Sequence, residues 1–262
     1  MKNSYVRRAL ANGFILVLSL MVAAPVDARQ HYLPMGAYTD VYALQYAARP
    51  GNSSAFERLI TEYPSLVSLT DLDGTTMLQW ALANDNRQAF QLLLHAGAKA
   101  DQPGFEGDTV IHDAARHRSS NWLKLLLANG ANPDVRNLQS GAVPLSRALI
   151  SDRGKQFEML LKAGAGPNIA DATGNTPLHV AAQINKPWHV YMLLTNWDNP
   201  ADPYILNAQG QTFQRYLFMT DDRLLNKRTR EGRQVVLDYL WFKDIPIEPG
   251  APPHLKRDFK LK

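Results

Sequence analysis

The stretch DATGNTPLHVAA, residues 171–182, decides the fold because degenerate copies of it recur along the chain at nearly constant spacing. The copies are centred on positions 43, 77, 110, 144 and 177, so the period is 33 or 34 residues. Glycine precedes four of these positions by three residues, and three copies end in an apolar run closed by Gly-Ala, as in LLLANGA at 125–131. A period of this size predicts a repeat array rather than a single globular core.

Each copy contains the signals for two helices joined by a turn. In the best copy Thr176 can cap a helix, and Pro177 suits the first helical position because its missing N–H would be unpaired there. Small residues such as Ala181 allow helices to approach closely, and the later leucine run supplies a second helix that a left-handed glycine can end. One such pair cannot bury its apolar face alone, so neighbouring copies must stack into a solenoid.

The pattern D-x-x-G-x-T-P-L-H-x-A-A, followed by L-L-x-x-G-A, resembles the ankyrin repeat over about residues 37–245. The resemblance implies an all-α repeat fold: an ankyrin solenoid of about five to six helix-turn-helix repeats joined by hairpin-like loops, with a divergent C-terminal cap. The sequence departs from the pattern at Met77 and Val110, where proline is expected, and at Gly104 and Leu138, where aspartate is expected. We expect an ankyrin-repeat domain at 29–250, with repeats at about 37–70, 71–103, 104–137, 138–170 and 171–206 and a capping repeat at 207–245.

Residues 1–28 have the form of a secretory signal peptide. Three basic residues precede the apolar stretch 14–24, and Val26-Asp27-Ala28 is a small-residue cleavage site. The apolar stretch is short for a membrane span of about 20 residues. We therefore predict cleavage after Ala28 and export to a bacterial periplasm; retention as an uncleaved anchor and onward secretion are the alternatives. The chain has no cysteine, which excludes disulfides and thiolate metal sites.

Charge is distributed unevenly along the chain, whose formal net charge is +4. Removal of residues 1–28 takes away three basic and one acidic residue and lowers the net charge to +2. Residues 29–222 then carry a net −3 and residues 223–262 a net +5. The cations form a basic tail at 251–262 and a cluster expected to precede a last helix at 235–242. Such clusters form a solvated face, or they bind anions, a membrane surface or an acidic partner. The cluster comprises Arg223, Lys227, Arg228, Arg230 and Arg233.

One short string resembles an enzyme motif, but the repeat phase explains it better. Residues 71–75, Asp-Leu-Asp-Gly-Thr, match the nucleophile loop of haloacid-dehalogenase-type phosphohydrolases, yet no alternating βαβ pattern follows them. His112 and His179 occupy one repeat position, two repeats apart. At about 10 Å per packed layer their rings would be about 20 Å apart, too far for one metal ion. We expect both histidines to bind turn backbone, and we predict no catalytic residue, metal or cofactor.

The resemblance implies that function lies in the variable residues, because the recurring ones cap and pack helices. Ankyrin repeats bind partners on the surface formed by the hairpin tips and first helices. Phe105, at one tip, either anchors a partner or folds back onto its neighbour. Carried over by position, the candidate partner-binding residues are Leu72, Asp73, Thr75, Phe105, Glu106, Asp108, Arg116, His117, Gln139, Ser140, Thr173, Asn175 and Gln183.

These observations predict a non-enzymatic, monomeric protein-binding scaffold of the bacterial periplasm. Export argues against a nucleic-acid partner, and removal of residues 1–28 argues against stable membrane insertion. Two roles fit a scaffold of this kind: an immunity or inhibitor protein against a toxin delivered to the periplasm, or an accessory protein that supports an exported enzyme or an envelope stress response. A secreted effector that binds a host protein is the alternative class.

Overall fold

The computed structural model describes residues 37–49 and 53–248. The predicted signal peptide at 1–28 and the predicted basic tail at 251–262 lie outside these residues. Within them, all regular structure is helical apart from one isolated β-bridge between Thr70 and Thr76. The chain divides into two compact units, the first up to Phe105 and the second from Glu106 onward.

Among its described residues, the first unit has four α-helices that pack in sequential pairs. The first helix packs on the second and third, and the second packs on the fourth. Leu44, Phe56 and Phe90 are buried between them. The helices are α1 (Ala37–Ala47), α2 (Ser53–Glu62), α3 (Met77–Ala83) and α4 (Arg87–His95), with a 3₁₀ turn at Pro64–Ser68.

The second unit continues the pairing with eight α-helices among its described residues. The first three short first helices each pack on their own second helix and on the first helix of the next repeat, and the last long helix packs on the second helix of the preceding repeat. Ile111, Leu145 and Leu178 repeat one buried position in successive first helices. The helices are α5 (Val110–Arg116), α6 (Asn121–Ala128), α7 (Pro144–Ile150), α8 (Gly154–Lys162), α9 (Pro177–Gln183), α10 (Pro187–Leu194), α11 (Phe213–Leu217) and α12 (Lys227–Phe242).

The Gly-Ala steps end the second helices as the sequence predicts. Gly130 and Gly164 have positive φ angles of 76° and 84°. The following alanines, Ala131 and Ala165, donate their N–H to Leu126 and Leu160 at 3.1 and 3.0 Å, which satisfies carbonyls left over at the helix end. The chain then turns back toward the next hairpin.

The last helix corrects the prediction for the basic cluster. It begins at Lys227, capped by Asn226, whose side chain accepts the N–H of Thr229 at 2.9 Å. Four of the five predicted cations therefore lie within α12 rather than before it. Arg233 is also not solvated, because its side chain is only 2% exposed. It donates to the Thr220 carbonyl, to Asp222 and to Asn185, so it is a structural residue.

No helix in the described ranges is long and apolar enough to cross a membrane.

Candidate protein-binding surface

A side-chain oxygen at the base of each well-formed hairpin fixes the turn that follows. In the best copy, Asp171 Oδ1 accepts the N–H groups of Thr173 and Asn175 at 2.8 and 2.9 Å. Asp71 and Asn207 do the same in their own repeats. Such Asx turns hold the backbone without help from the residues at the tip. The tip side chains are thus free to vary.

One hairpin differs from the sequence-based alignment. The equivalent side chain there is Asn137, which accepts the N–H groups of Gln139 and Ser140 at 2.8 and 2.6 Å. The turn is one residue longer than in the neighbouring repeat, since Gly141 bonds back to Asn137 four residues away whereas Gly174 bonds to Asp171 three residues away. Leu138 therefore does not replace the aspartate as predicted. It is an extra tip residue, and its side chain is 73% exposed.

Neighbouring tips of the second unit are joined through their backbones. The N–H groups of Leu138, Ala172 and Ala208 each donate to a carbonyl of the preceding tip, at 2.9, 2.8 and 3.0 Å. The acceptors are Gly107, Ser140 and Thr173. We call the three linked turns, 138–141, 172–174 and 208–210, the tip row. Because its backbone groups pair internally, the row presents its side chains from a fixed framework.

Buried histidines connect the first helices to the backbone of the next hairpin, as predicted. The Thr109 N–H donates to His112 Nδ1 at 3.1 Å, so that nitrogen carries no proton and Nε2–H donates to the Ala142 carbonyl at 3.0 Å. His179 makes the same two bonds, to Thr176 and Gln211. Burial lowers the pKa of both imidazoles from 6.5. The neutral form is therefore the one that holds each hairpin.

Three candidate residues lie together at the best hairpin. Asn175 Nδ2 donates to Thr173 Oγ1 at 2.8 Å, and Gln183 Nε2 donates to Asn175 Oδ1 at 3.3 Å. Asn207 of the next repeat also donates to Asn175 Oδ1, at 2.9 Å. Thr173 and Gln183 are exposed while Asn175 is half-buried. This cluster offers neutral donors and acceptors at the end of a first helix.

Arg116 and His117 lie at the end of α5, and both have internal partners. Arg116 forms an ion pair with Asp113 at 2.5 Å and remains nearly half exposed. His117 Nδ1 accepts the Ser119 N–H at 3.1 Å, and its ring meets Trp122 edge-on at 6.3 Å. Arg116 can therefore reach a partner, whereas His117 mainly shapes the loop before α6.

Asp108 corrects a prediction, because it does not lie on the exposed surface. The residue is 3% exposed. Its carboxylate accepts from Arg147 at 2.9 Å and from Asn137 Nδ2 at 2.6 Å. These bonds tie the base of one hairpin to the next repeat. Its place beside tip residues in the sequence concealed this role, because its partners lie 29 and 39 residues away.

Known protein families identify this architecture. A family model described as ankyrin repeats in three copies matches residues 44–137 and 111–207, which together cover more than half of the chain. The chain belongs to the ankyrin repeat family. Protein PhlB of Serratia liquefaciens is 35% identical over 184 residues, covering 69% of this chain and 80% of that protein.

Two larger ankyrin-repeat relatives match over a small part of their own length. Human inversin is 31% identical over 159 residues, 60% of this chain but 15% of inversin. The E3 ubiquitin-protein ligase KEG of Arabidopsis thaliana is 30% identical over 140 residues, 51% of this chain but 8% of that protein. With its helix pairs and joining hairpins, the described part of the chain is an ankyrin solenoid fold of the predicted all-α class.

The first ankyrin unit holds the remaining candidates near two hairpins. Leu72 and Asp73 are exposed at one tip, and Thr75 is half-buried with its N–H bonded to Asp71 at 2.8 Å. The Phe105 side chain is 43% exposed, and its N–H donates to Gln79 Oε1 at 3.3 Å. The side chain is thus partly open to solvent. In the second unit, the candidates Glu106, Gln139 and Ser140 are exposed at the tips.

The structure places the enzyme-like string in a repeat hairpin. Asp71 Oδ1 is used to hold the turn, and the residues before it form a 3₁₀ turn and an isolated bridge rather than a buried strand. Within residues 37–49 and 53–248, no group of three or more His, Asp or Glu side chains could hold a metal ion.

Proposed function

We propose that this chain is a non-enzymatic periplasmic scaffold that binds another protein through the tips and first helices of its ankyrin repeats. The proposal rests on one observation: the groups that hold the turns of the tip row differ from the side chains that the row exposes. Backbone and Asx groups hold each turn, while the side chains of Gln139 and Thr173 are exposed at the tips. Ser140 is also exposed, and its Oγ accepts the Ala142 N–H at 3.3 Å within its own turn. Fixed backbone with variable exposed side chains is the arrangement expected of a binding surface.

The chemistry of the tip row describes the partner that it would accept. The turns 138–141, 172–174 and 208–210 contain no charged residue; they carry amides, hydroxyls and the exposed Leu138. Protein interfaces combine such polar groups with apolar anchors and need little net charge at their centre. The charged candidates Arg116 and Glu106 lie near α5, at the N-terminal end of the second unit.

Capture from periplasmic extract tests the binding surface. We expect the tagged full chain to recover a protein that a Gln139→Arg, Gln183→Arg double variant does not recover, because two bulky cations would disrupt the neutral surface. Gln234→Arg, on an exposed position of α12, is the matched control and should recover the partner normally. Equal recovery by all three proteins would contradict the assignment.

Fractionation tests the location. The form and position of residues 1–28 predict a periplasmic protein whose mature N-terminus is Arg29. N-terminal sequencing of the protein released by osmotic shock measures this. A chain that stays in the cytoplasm with residues 1–28 intact would contradict the proposed compartment and leave the binding surface to be judged by capture.

An immunity or inhibitor role is the more specific form of the proposal. Export of a scaffold favours a task outside the cytoplasm, and neutralising a delivered toxin needs binding alone. The captured partner should then be a toxin or exported enzyme whose activity falls when the wild-type chain is added, but not when the Gln139→Arg, Gln183→Arg variant is added. A partner that keeps full activity would favour the accessory role. A partner from a host cell would favour the secreted effector.

A further inference from the structure

Two exposed aromatic side chains follow the residues that join α10 to α12. Trp197 is 94% exposed and Phe242 is 79% exposed. A hydrogen bond from Tyr239 OH to the Leu194 carbonyl, 3.0 Å long, joins α12 to α10. Trp197 lies three residues after Leu194, and Phe242 lies three residues after Tyr239. We call Trp197, Phe242 and the residues beside them the aromatic patch. Neither ring contributes much to packing, so the fold does not require them.

An insertion carries the tryptophan. In the preceding repeat the alanine that closes the second helix, Ala165, bonds back five residues to Leu160, whereas Ala201 bonds back eight residues to Leu193. The three additional residues lengthen the loop that contains Trp197. Solvent exposure of a large aromatic ring on a dispensable loop costs solubility, and exposed apolar patches of this kind mark contact sites.

The charges beside the patch specify what could cover it. Asp198, Asp202 and Asp244 are exposed along the same segments, against one cation, Lys243, whose ammonium lies 5.5 Å from the centre of the Phe242 ring. An anionic lipid surface would be repelled by three carboxylates. A segment that combines apolar side chains with several cations would be attracted.

The chain itself supplies such a segment. Residues 249–262 carry four Lys and Arg residues against one Asp, and three apolar residues, Leu255, Phe259 and Leu261, are neighbours of the cations in the sequence. The segment begins after Glu248, whose N–H donates to Gln214 Oε1 at 3.2 Å. Only six positions separate Glu248 from Phe242. Since an extended chain spans about 3.3 Å per residue, Leu255 and the residues after it can reach the patch.

We propose that the basic C-terminal segment of this protein docks on the aromatic patch formed by Trp197 and Phe242. Attachment to the same chain gives the segment an effective concentration on the order of 1 mM, so even a weak contact is well populated. A second copy or a separate partner at micromolar concentration must bind far more tightly to compete. The patch is thus covered by its own chain until a stronger ligand displaces the segment. This inference does not depend on the proposed partner at the tip row.

The absence of cysteine permits a direct test on the full chain. A Leu261→Cys variant carries a single thiol, which can be labelled with bimane, a fluorophore that tryptophan quenches on contact. Because Trp241 adjoins Phe242 and would also quench the label, it is replaced by Phe in every variant. In that background we expect Trp197→Phe to raise the bimane fluorescence about twofold, the change for a segment docked about half of the time. Replacing Lys256, Arg257 and Lys260 with Gln, or adding 1 M NaCl, should raise it similarly because attraction between exposed charges is screened.

Leu224→Ala is the matched control, since Leu224 is an exposed apolar residue outside the patch. It should leave the bimane fluorescence unchanged. Circular dichroism melting of every variant separates loss of docking from loss of folding. Equal bimane fluorescence in the chains with Trp197 and with Phe at that position, at low salt and with unchanged melting, would overturn the proposal. Quenching that falls on dilution would assign the contact to a second copy and also overturn it.

Discussion

Gly174 is held in a conformation and a space that together suit only glycine. Its φ angle is 79°, and an added Cβ would lie 2.7 Å from the backbone nitrogen of Ala208 and 3.0 Å from Asn207 backbone atoms. The clash falls on the bond that joins two tips, from Ala208 N–H to the Thr173 carbonyl. We expect Gly174→Ala to lower the free energy of unfolding by about 3 kcal/mol, measured by urea denaturation.

Gly164→Ala separates the effect of the positive φ angle from the effect of the close contact. Gly164 has a similar φ of 84°, but an added Cβ would meet no atom within 4 Å. In that variant the free energy of unfolding should fall by only about 1 kcal/mol, the cost of placing alanine in the left-handed conformation. Equal losses for the two variants would show that close approach of the tips does not stabilise the row.

Asp108 should matter for stability rather than for binding. Removal of its carboxylate leaves Arg147 and Asn137 without this shared acceptor in a buried setting. We expect Asp108→Ala to cost about 2–3 kcal/mol in urea denaturation, because truncating one partner of a buried pair strands the other. Asp73→Ala, at an exposed tip, should stay within about 0.5 kcal/mol. A neutral result at Asp108 would mean that its bonds to the next repeat do not stabilise the fold.

At the scale of the element, histidine capping couples the hairpins to pH. His112 and His179 accept a backbone N–H at Nδ1, so a proton there would face a donor. Burial lowers the pKa of both residues from 6.5. The unfolded chain therefore takes up protons first as the pH falls. The stabilisation is complete above about pH 6.5 and is lost as the pH falls through the lower pKa values of the fold.

Gln79 provides the matched replacement for these histidines. It forms the same reciprocal cap with Thr76, through bonds of 3.1 and 3.2 Å, and cannot titrate. We expect the double variant His112→Gln, His179→Gln to show a smaller difference in free energy of unfolding between pH 7.5 and pH 5 than the wild type. Some difference should remain because burial also lowers the pKa of His189. An unchanged difference would mean that other groups set the acid sensitivity.

The sequence predicts these elements well where every repeat obeys the same local rule. One copy of the motif predicts that a helix begins after Thr176, that a glycine ends the second helix, and that a histidine bonds to the next hairpin. The sequence fails where a repeat departs from that rule or where a role depends on residues far apart in the chain. Counting back from Gly141 selects Leu138, because nothing local reveals that the turn holds one more residue and that Asn137 takes the aspartate's place.

The same limit explains the errors at Asp108 and Arg233. Charged side chains beside a turn or on a helix are expected to be solvated. Whether they are buried depends on partners supplied by another repeat, such as Arg147 for Asp108 and Asn185 for Arg233. The candidate binding residues were located from the repeat phase alone, which identifies exposed positions but carries no information about bonds between repeats.

At the scale of the whole molecule, stability in a repeat array depends on contacts between neighbours, so the last repeat needs its own anchor. Arg233 provides one in the second unit. It joins α12 to the turn at Thr220 and Asp222 and to Asn185, between α9 and α10. The surrounding contact is close, since a Cβ added at Gly232 would lie 2.8 Å from Pro187.

We expect Arg233→Met to cost about 3 kcal/mol, because the buried acceptors lose a cation that a thioether cannot replace. The loss should be local first. In hydrogen exchange measured by mass spectrometry, peptides from α12 and α10 should exchange much faster, while those from α5 should change least, because protection propagates only through adjacent repeats. Arg228→Met, on the exposed side of α12, should leave exchange nearly unchanged. Uniform loss of protection from α5 to α12 would instead mean that the second unit opens as one cooperative body and that Arg233 does not anchor a separate cap.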